Sequence, residues 1–268
     1  PVEKDAGLEV IMVTAQKRPE SAQETPISMS VYSSNDIVNK RIVGVEALTN
    51  ADTALIWNGG DKGTLSLRGV STSNTTEIGN PSVPITIDNF VNNRAQGLDG
   101  ALFDVERIEV LRGPQGTLFG RSATGGLVNV TTNKPSDDLE LSASIEIANY
   151  GGMHTTGMLN LPLSDNYQLR IATMTRSRDG FRKDTGGFEG APPSATEGDT
   201  EDLHAGRVSL AFQPTDTFSG LVSWQKITDT GTPFVRTVPF TFVNPDPSVN
   251  NSRPLPDGSQ DIVHALPE

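Results

Sequence analysis

From Leu139 onward the chain alternates apolar and polar residues over segments long enough to cross a bilayer as tilted strands, and no other feature restricts its fold as much. In LELSASIEIANY, Leu139, Leu141, Ala143, Ile145 and Ile147 fall on one face, with Glu140, Ser142, Ser144 and Glu146 on the other. Segments of the same period cover Thr155–Leu163, Tyr167–Arg178, Leu203–Gln213 and Phe218–Thr228, each near the roughly 10 residues that a transmembrane strand needs. A soluble sandwich strand has the same period, so one segment alone is ambiguous. The links between segments separate the two cases. Ser164–Asn166 and Pro214–Thr217 are tight, whereas Asp179–Asp202 and the stretch from Asp229 are long and polar, which is how the two ends of an outer-membrane barrel differ. Arg170, Arg176 and Arg178 share the polar face with Gln168 and are expected in the lumen. Tyr150, Tyr167, Phe181, Phe218 and Trp224 lie at or near segment ends, as interfacial aromatics or as ordinary core residues.

Composition narrows the function. There is no apolar run of about 18 residues, which excludes a transmembrane helix but not a barrel. A net charge of −12 repels phosphates and argues against nucleic acid as a partner. With no cysteine there is no disulfide framework, cysteine nucleophile or cysteine metal site. His154, His204 and His264 are far apart and lack ligand spacing, and neither a nucleophile elbow nor an HExxH motif occurs. The expectation is a protein that is not an enzyme and carries no cofactor or metal. The opening PVEKDAG lacks the basic-then-apolar pattern of a secretory signal, so any such signal is expected to have been removed.

Upstream, Leu111–Gly126 (LRGPQGTLFGRSATGG) packs five glycines and Pro114 between two β-rich runs, Val105–Leu111 and Leu127–Thr132. It is a stretch of reversals. A phosphate-binding loop does not fit, because Gly116 and Gly120 enclose three residues, Arg121 stands where that motif has lysine, and no long helix follows. Local chemistry alone favours a glycine-rich hairpin in a β domain. Before it, the pattern predicts a strand at Thr25–Ser33, a helix at Asp36–Arg41 capped by Ser34 or Asn35, a second helix near Val45–Thr49, and an irregular segment to Gly63. Strands follow at Thr64–Val70 and Val83–Phe90, with polar loops at Ser71–Pro81 and Val91–Gly97 and a short helix at Asp99–Asp104. Strands interleaved with short helices over 25–135 make a small α+β domain. At the N-terminus, Glu9–Thr14 (EVIMVT) is a β-prone island in a polar arm. It suits strand addition to a partner's sheet edge, or is the first strand of the domain that follows.

Over Val105–Pro135, VERIEVLRGPQGTLFGRSATGGLVNVTTNKP resembles the plug-domain signature of TonB-dependent outer-membrane transporters, and EVIMVTAQKR is similar to their TonB box. The resemblance implies an α+β plug followed by antiparallel transmembrane β-barrel strands, here an incomplete part of a barrel of about 22 strands. The implied domains are an arm at 1–24, a plug at 25–135 and the first barrel strands at 136–268. It further implies that Glu9, Val10, Ile11, Met12, Val13 and Thr14 bind TonB, which is driven by its inner-membrane complex, and that Arg68 and Arg112, each in an LRG motif, pair with glutamates on the barrel wall. Substrate contacts are expected on the polar plug loops, at Ser73, Asn74, Thr75, Asn93 and Arg94. The protein would reside in the bacterial outer membrane, arm periplasmic and long loops extracellular, importing a scarce nutrient such as a ferric siderophore, cobalamin or an oligosaccharide. Its other partners would be outer-membrane lipid and the remaining barrel strands, from the rest of the chain or a second polypeptide. The alternative is an outer-membrane signalling or interaction module that binds without transport.

Overall fold

The computed structural model describes residues 12–14, 20–21, 23–58, 64–72, 80–92, 100–119, 122–181, 199–231, 252–254 and 260–262. In chain order the first elements are β1 (Met12–Val13), β2 (Glu20–Ser21), β3 (Met29–Ser33), α1 (Ser34–Asn39), α2 (Val45–Ala51), β4 (Leu55–Asn58) and β5 (Thr64–Leu67). They continue with β6 (Ile85–Ile87), β7 (Phe90–Asn92), β8 (Val105–Arg112), α3 (Gly116–Phe119) and β9 (Gly126–Thr132). The wall strands are β10 (Glu140–Ile147), β11 (Met153–Ser164), β12 (Tyr167–Arg178), β13 (Glu201–Thr215) and β14 (Phe218–Asp229), and a hairpin of β15 (Ser252–Pro254) and β16 (Gln260–Ile262) closes the list of elements.

The N-terminal unit is built on a sheet of order β3-β8-β9-β6-β7, in which only β6 and β9 run parallel. Its two faces carry different covers. Ile108, Val110, Val128, Val130 and Ile85 point to one face and pack with Tyr32, Ile42, Val45, Leu48 and the β4–β5 hairpin in the larger core. Leu111 and Leu127 point to the other, where Phe119, Ala123 and Val13 of β1 bury them, with Met29 and Val31 alongside. Burying both faces accounts for the aliphatic residues on both sides of these central strands, Ile108, Val110 and Leu111 in β8 and Leu127, Val128 and Val130 in β9.

Several local expectations are corrected. The cap of α1 is Ser33, whose hydroxyl accepts from the Asp36 N–H while the Asp36 carboxylate accepts from the Ser33 N–H, a closed capping box. The segment assigned as irregular contains β4, paired with β5 from Leu55↔Leu67 to Asn58↔Thr64. The strand expected at Val83–Phe90 is a hairpin, because Asp88 and Asn89 adopt left-handed φ of 48° and 70° and reverse the chain between β6 and β7. Gly100–Asp104 is a turn and extended segment rather than a helix, with Leu102 and Phe103 buried and Asp104 at φ 49°. Inside the glycine-rich stretch the chain makes the single helical turn α3, and Gly126 sits at φ 150° where a Cβ would lie 2.4 Å from the Leu111 carbonyl oxygen.

The wall strands form one antiparallel meander, β10 to β14 in sequence order. Leu141, Leu159, Ile171, Val208 and Trp224 are successive cross-strand partners and make a continuous apolar row on the outward face. Two residues further along, the row is Ala143, Gly157, Thr173, Gly206 and Lys226, so the apolar band narrows across β12–β14. Tyr167 and Phe218 begin β12 and β14, and Tyr150 and Phe181 meet beyond the other ends at a centroid distance of 5.6 Å. Trp224 lies in mid-strand, contrary to the strand-end expectation. Among the described residues no helix is long and apolar enough to cross a membrane.

Candidate functional site

The end of the arm is docked on the plug. β1 pairs antiparallel with β2 through Met12↔Ser21 and Val13↔Glu20, and the Val13 side chain is 1% exposed. Directly after it, the Thr14 backbone N–H donates to Glu109 Oε1 at 2.8 Å. Glu109 is fully buried, an unfavourable place for a carboxylate unless donors surround it. Those donors are present. Arg107 Nε reaches Oε1 at 2.9 Å, Asn129 Nδ2 reaches Oε2 at 3.0 Å, and Arg107 Nη2 reaches the Thr14 hydroxyl at 3.1 Å. Asn129 Oδ1 in turn accepts from the Thr86 hydroxyl at 2.7 Å.

The register explains this convergence. Thr86, Asn129, Glu109 and Val31 are successive partners across β6, β9, β8 and β3, so they form one row on the face that β1 covers. The row is polar over three strands, and the arm supplies a backbone donor to its acid. Sequence reading placed Met12, Val13 and Thr14 in a docking segment without detecting that Glu109 receives them. The available signal was a glutamate set between the apolar residues Ile108 and Val110 of β8, with an asparagine set between Val128 and Val130 of β9.

Arg68 and Arg112 approach one another through Ser28. Arg68 Nη2 donates to the Ser28 hydroxyl at 3.2 Å, and the Arg112 backbone N–H donates to the Ser28 carbonyl at 2.9 Å. The Arg112 guanidinium bonds the Ser30 hydroxyl and lies 3.4 Å from both carboxylate oxygens of Asp52, itself buried at the end of α2. Among the described residues, then, the acid beside Arg112 belongs to the plug. Arg68 holds a left-handed φ of 52° ahead of Gly69 at 81°, a turn that points the LRG motif back toward β3. Glu9, Val10, Ile11, Ser73, Asn74, Thr75, Asn93 and Arg94 lie outside the described residues.

A second junction, absent from the sequence reading, joins plug to wall. Asp104 accepts two bonds from Arg170 of β12, Nε to Oδ2 at 2.8 Å and Nη2 to Oδ1 at 2.7 Å, with both side chains at most 8% exposed. Arg207 of β13 stacks its guanidinium 4.6 Å from the Phe103 ring centroid and donates to the Phe103 carbonyl at 3.3 Å. Phe103 packs on Ala172, Met174, Leu203, Ala205 and Ile227. The lumen assignment of Arg170 and Arg176 fits this arrangement, since Arg176 reaches the Val43 carbonyl at 3.4 Å and Glu201 at 3.3 Å. Beside this junction, between α1 and strands β10–β12, is a cavity of about 450 Å³ bordered by Ile37, Arg41, Glu146 and His154.

Residues 21–127 match the family model described as TonB-dependent Receptor Plug Domain. The iron-regulated outer membrane virulence protein of Vibrio cholerae is 29% identical over 182 residues, covering 64% of this chain and 28% of that protein. The pesticin receptor of Yersinia pestis is 30% identical over 173 residues, covering 63% of this chain and 25% of that protein. The chain therefore spans about a quarter of the length of these relatives, 28% and 25%. Among solved structures, the ferric yersiniabactin uptake receptor of Yersinia pestis superposes with TM-score 0.65 at 24% identity, over 77% of this chain and 32% of that one. The pyoverdine outer membrane receptor of Pseudomonas aeruginosa superposes with TM-score 0.64 at 14% identity, over 84% of this chain and 31% of that one.

Proposed function

The chain carries a TonB-dependent receptor plug domain joined to strands of an outer-membrane barrel, and on that premise we propose that it is the plug and first wall segment of an importer for ferric chelates. It is an outer-membrane protein and not an enzyme. In this reading residues 1–24 are the arm, 25–135 the plug and 136–268 the beginning of the wall. Glu9–Thr14 is the segment to which TonB adds a strand, and the loops with Ser73, Asn74, Thr75, Asn93 and Arg94 meet the substrate from outside. Arg68 and Arg112 pair with glutamates on the barrel wall and hold the plug until it moves. The ferric-chelate class is supported by the iron-regulated relative from Vibrio cholerae.

The observation that carries the mechanism is the bond from the Thr14 N–H to buried Glu109. Strand addition on the arm competes for the backbone of β1, and traction on the arm is applied through Thr14 to the central strand β8. Once Val13 and Thr14 leave, the row Thr86–Asn129–Glu109 loses its cover, and Leu111 and Leu127 keep only Phe119, Ala123 and their neighbours over them. Water enters that face, and the plug is free to rearrange inside the wall.

The test uses cells producing the full-length protein, offered radioiron as ferric yersiniabactin, ferripyoverdine or a ferric catecholate. Binding at the cell surface together with uptake that disappears in a TonB-deficient strain is the expected result. Binding with no uptake in energised cells would instead favour a signalling or interaction module.

A further inference from the structure

We propose that Gly100–Asp104 is a fixed anchor of the plug on β12–β14, and that the substrate path opens from the cavity beside it, by parting the α1 side of the plug from β10 and β11. The inference rests on the import reading above. Two junctions meet β8 at different points, and their chemistry differs. Thr14 is held to Glu109 within a polar row, next to one inserted valine. Asp104, immediately before Val105 of β8, is held by a two-pronged buried bond to Arg170, and Phe103 is enclosed by aliphatic side chains from three wall strands under the Arg207 guanidinium. Asn133, just after β9, adds a bond from Nδ2 to Asp104 Oδ1 at 2.9 Å, so the exit of the chain from the plug is tied to the same point.

Parting Asp104 from Arg170 breaks a two-pronged bond between charges removed from water, leaving Asp104 only the Asn133 amide and Arg170 only the half-exposed Glu140 at 3.2 Å. Withdrawing Val13 and Thr14 leaves Glu109 with Arg107 and Asn129 still bonded. A pull on the arm therefore reaches the weaker junction first, and β8 remains fastened at its start. On the α1 side the described contact is slighter: Arg41 and Glu146 form an exposed ion pair at 3.4 Å, across the rim of the 450 Å³ cavity. An exposed pair of this kind holds little.

The geometry supplies a direct test in a chain without native cysteines. A Cβ built at Gly100 lies 3.6 Å from Ile227 Cβ, within the roughly 3.5–4.5 Å of a disulfide, and the Ile227 Cγ2 that would crowd it at 2.4 Å is removed by the exchange. Full-length protein carrying Gly100→Cys with Ile227→Cys is oxidised in cells and assayed for radioiron uptake from ferric yersiniabactin, ferripyoverdine and a ferric catecholate, before and after reduction. A second protein, Arg41→Cys with Glu146→Cys, is bridged by a short bis-maleimide. Uptake is expected to be unchanged in the first and lost in the second, with surface binding kept in both. Uptake lost on oxidation of the first and restored by reduction, or uptake kept in the bridged second, overturns the proposal. If the protein without the introduced cysteine pairs imports none of the three chelates, the import reading fails instead.

Discussion

At the scale of single residues, buried acids with donors around them hold the arm and the plug together. Glu109 on β8 is the clearest, because its four bonds join the arm, its own strand and β9. Replacing it with alanine removes the buried acceptor shared by Arg107, Asn129 and the Thr14 N–H, leaving Thr14 held only through its hydroxyl. A loss of about 3–5 kcal/mol in plug stability is expected in urea titration, with faster protease cleavage in the arm. Unchanged cleavage would mean that Thr14 is held by something else. Tyr32 offers a pH-dependent counterpart on the other face. Its hydroxyl donates to the Ala51 carbonyl at 3.1 Å, and its pKa is pushed up to about 12 from 10.0, by burial first and the Asp52 carboxylate next. The folded state thus holds this proton more tightly than the unfolded chain. The stabilisation is complete below pH 10 and is lost as pH rises toward about 12, so Tyr32→Phe should flatten the fall in plug stability over that interval.

At the scale of elements, the wall was the most legible part, because side chains on a strand alternate strictly and the five segments kept a clean period. The register converts that period into a surface. Val208→Arg, in the outward row between Ile171 and Trp224, should cost about 2–4 kcal/mol when the full-length protein folds into lipid vesicles, while Ser144→Arg on the lumen side should be tolerated. Equal effects would contradict the assignment of faces. The plug was legible in its long strands and less so in its short ones. β4 has four residues and β6 and β7 three each, too few for a period to show, and their pairing is decided by tertiary neighbours. The left-handed Asp88–Asn89 turn had a composition cue in its Asp-Asn pair. For Gly100–Asp104 no local cue exists: Phe103 and Asp104 take their shape from Arg170 and Arg207, more than sixty residues away along the chain.

At the scale of the whole molecule, the same sheet is covered on one face by helices and a hairpin, and on the other by the arm and the glycine-rich turns. That asymmetry links the parts. The helical side belongs to the stable core, whereas the arm side is opened in part by removing two residues, Val13 and Thr14, that already sit at the end of the segment proposed to bind TonB. The glycine-rich stretch, read alone as a hairpin, supplies Phe119 and Ala123 to the cover and lets Gly126 pass close to β8. The central claim is that force on the arm drives import. Ile11→Pro removes a backbone donor from the segment while leaving the Val13–Thr14 dock in place. In energised cells producing the full-length variant, surface binding of ferric yersiniabactin, ferripyoverdine or a ferric catecholate should remain while radioiron uptake disappears; uptake equal to that of the unmodified protein would contradict the account.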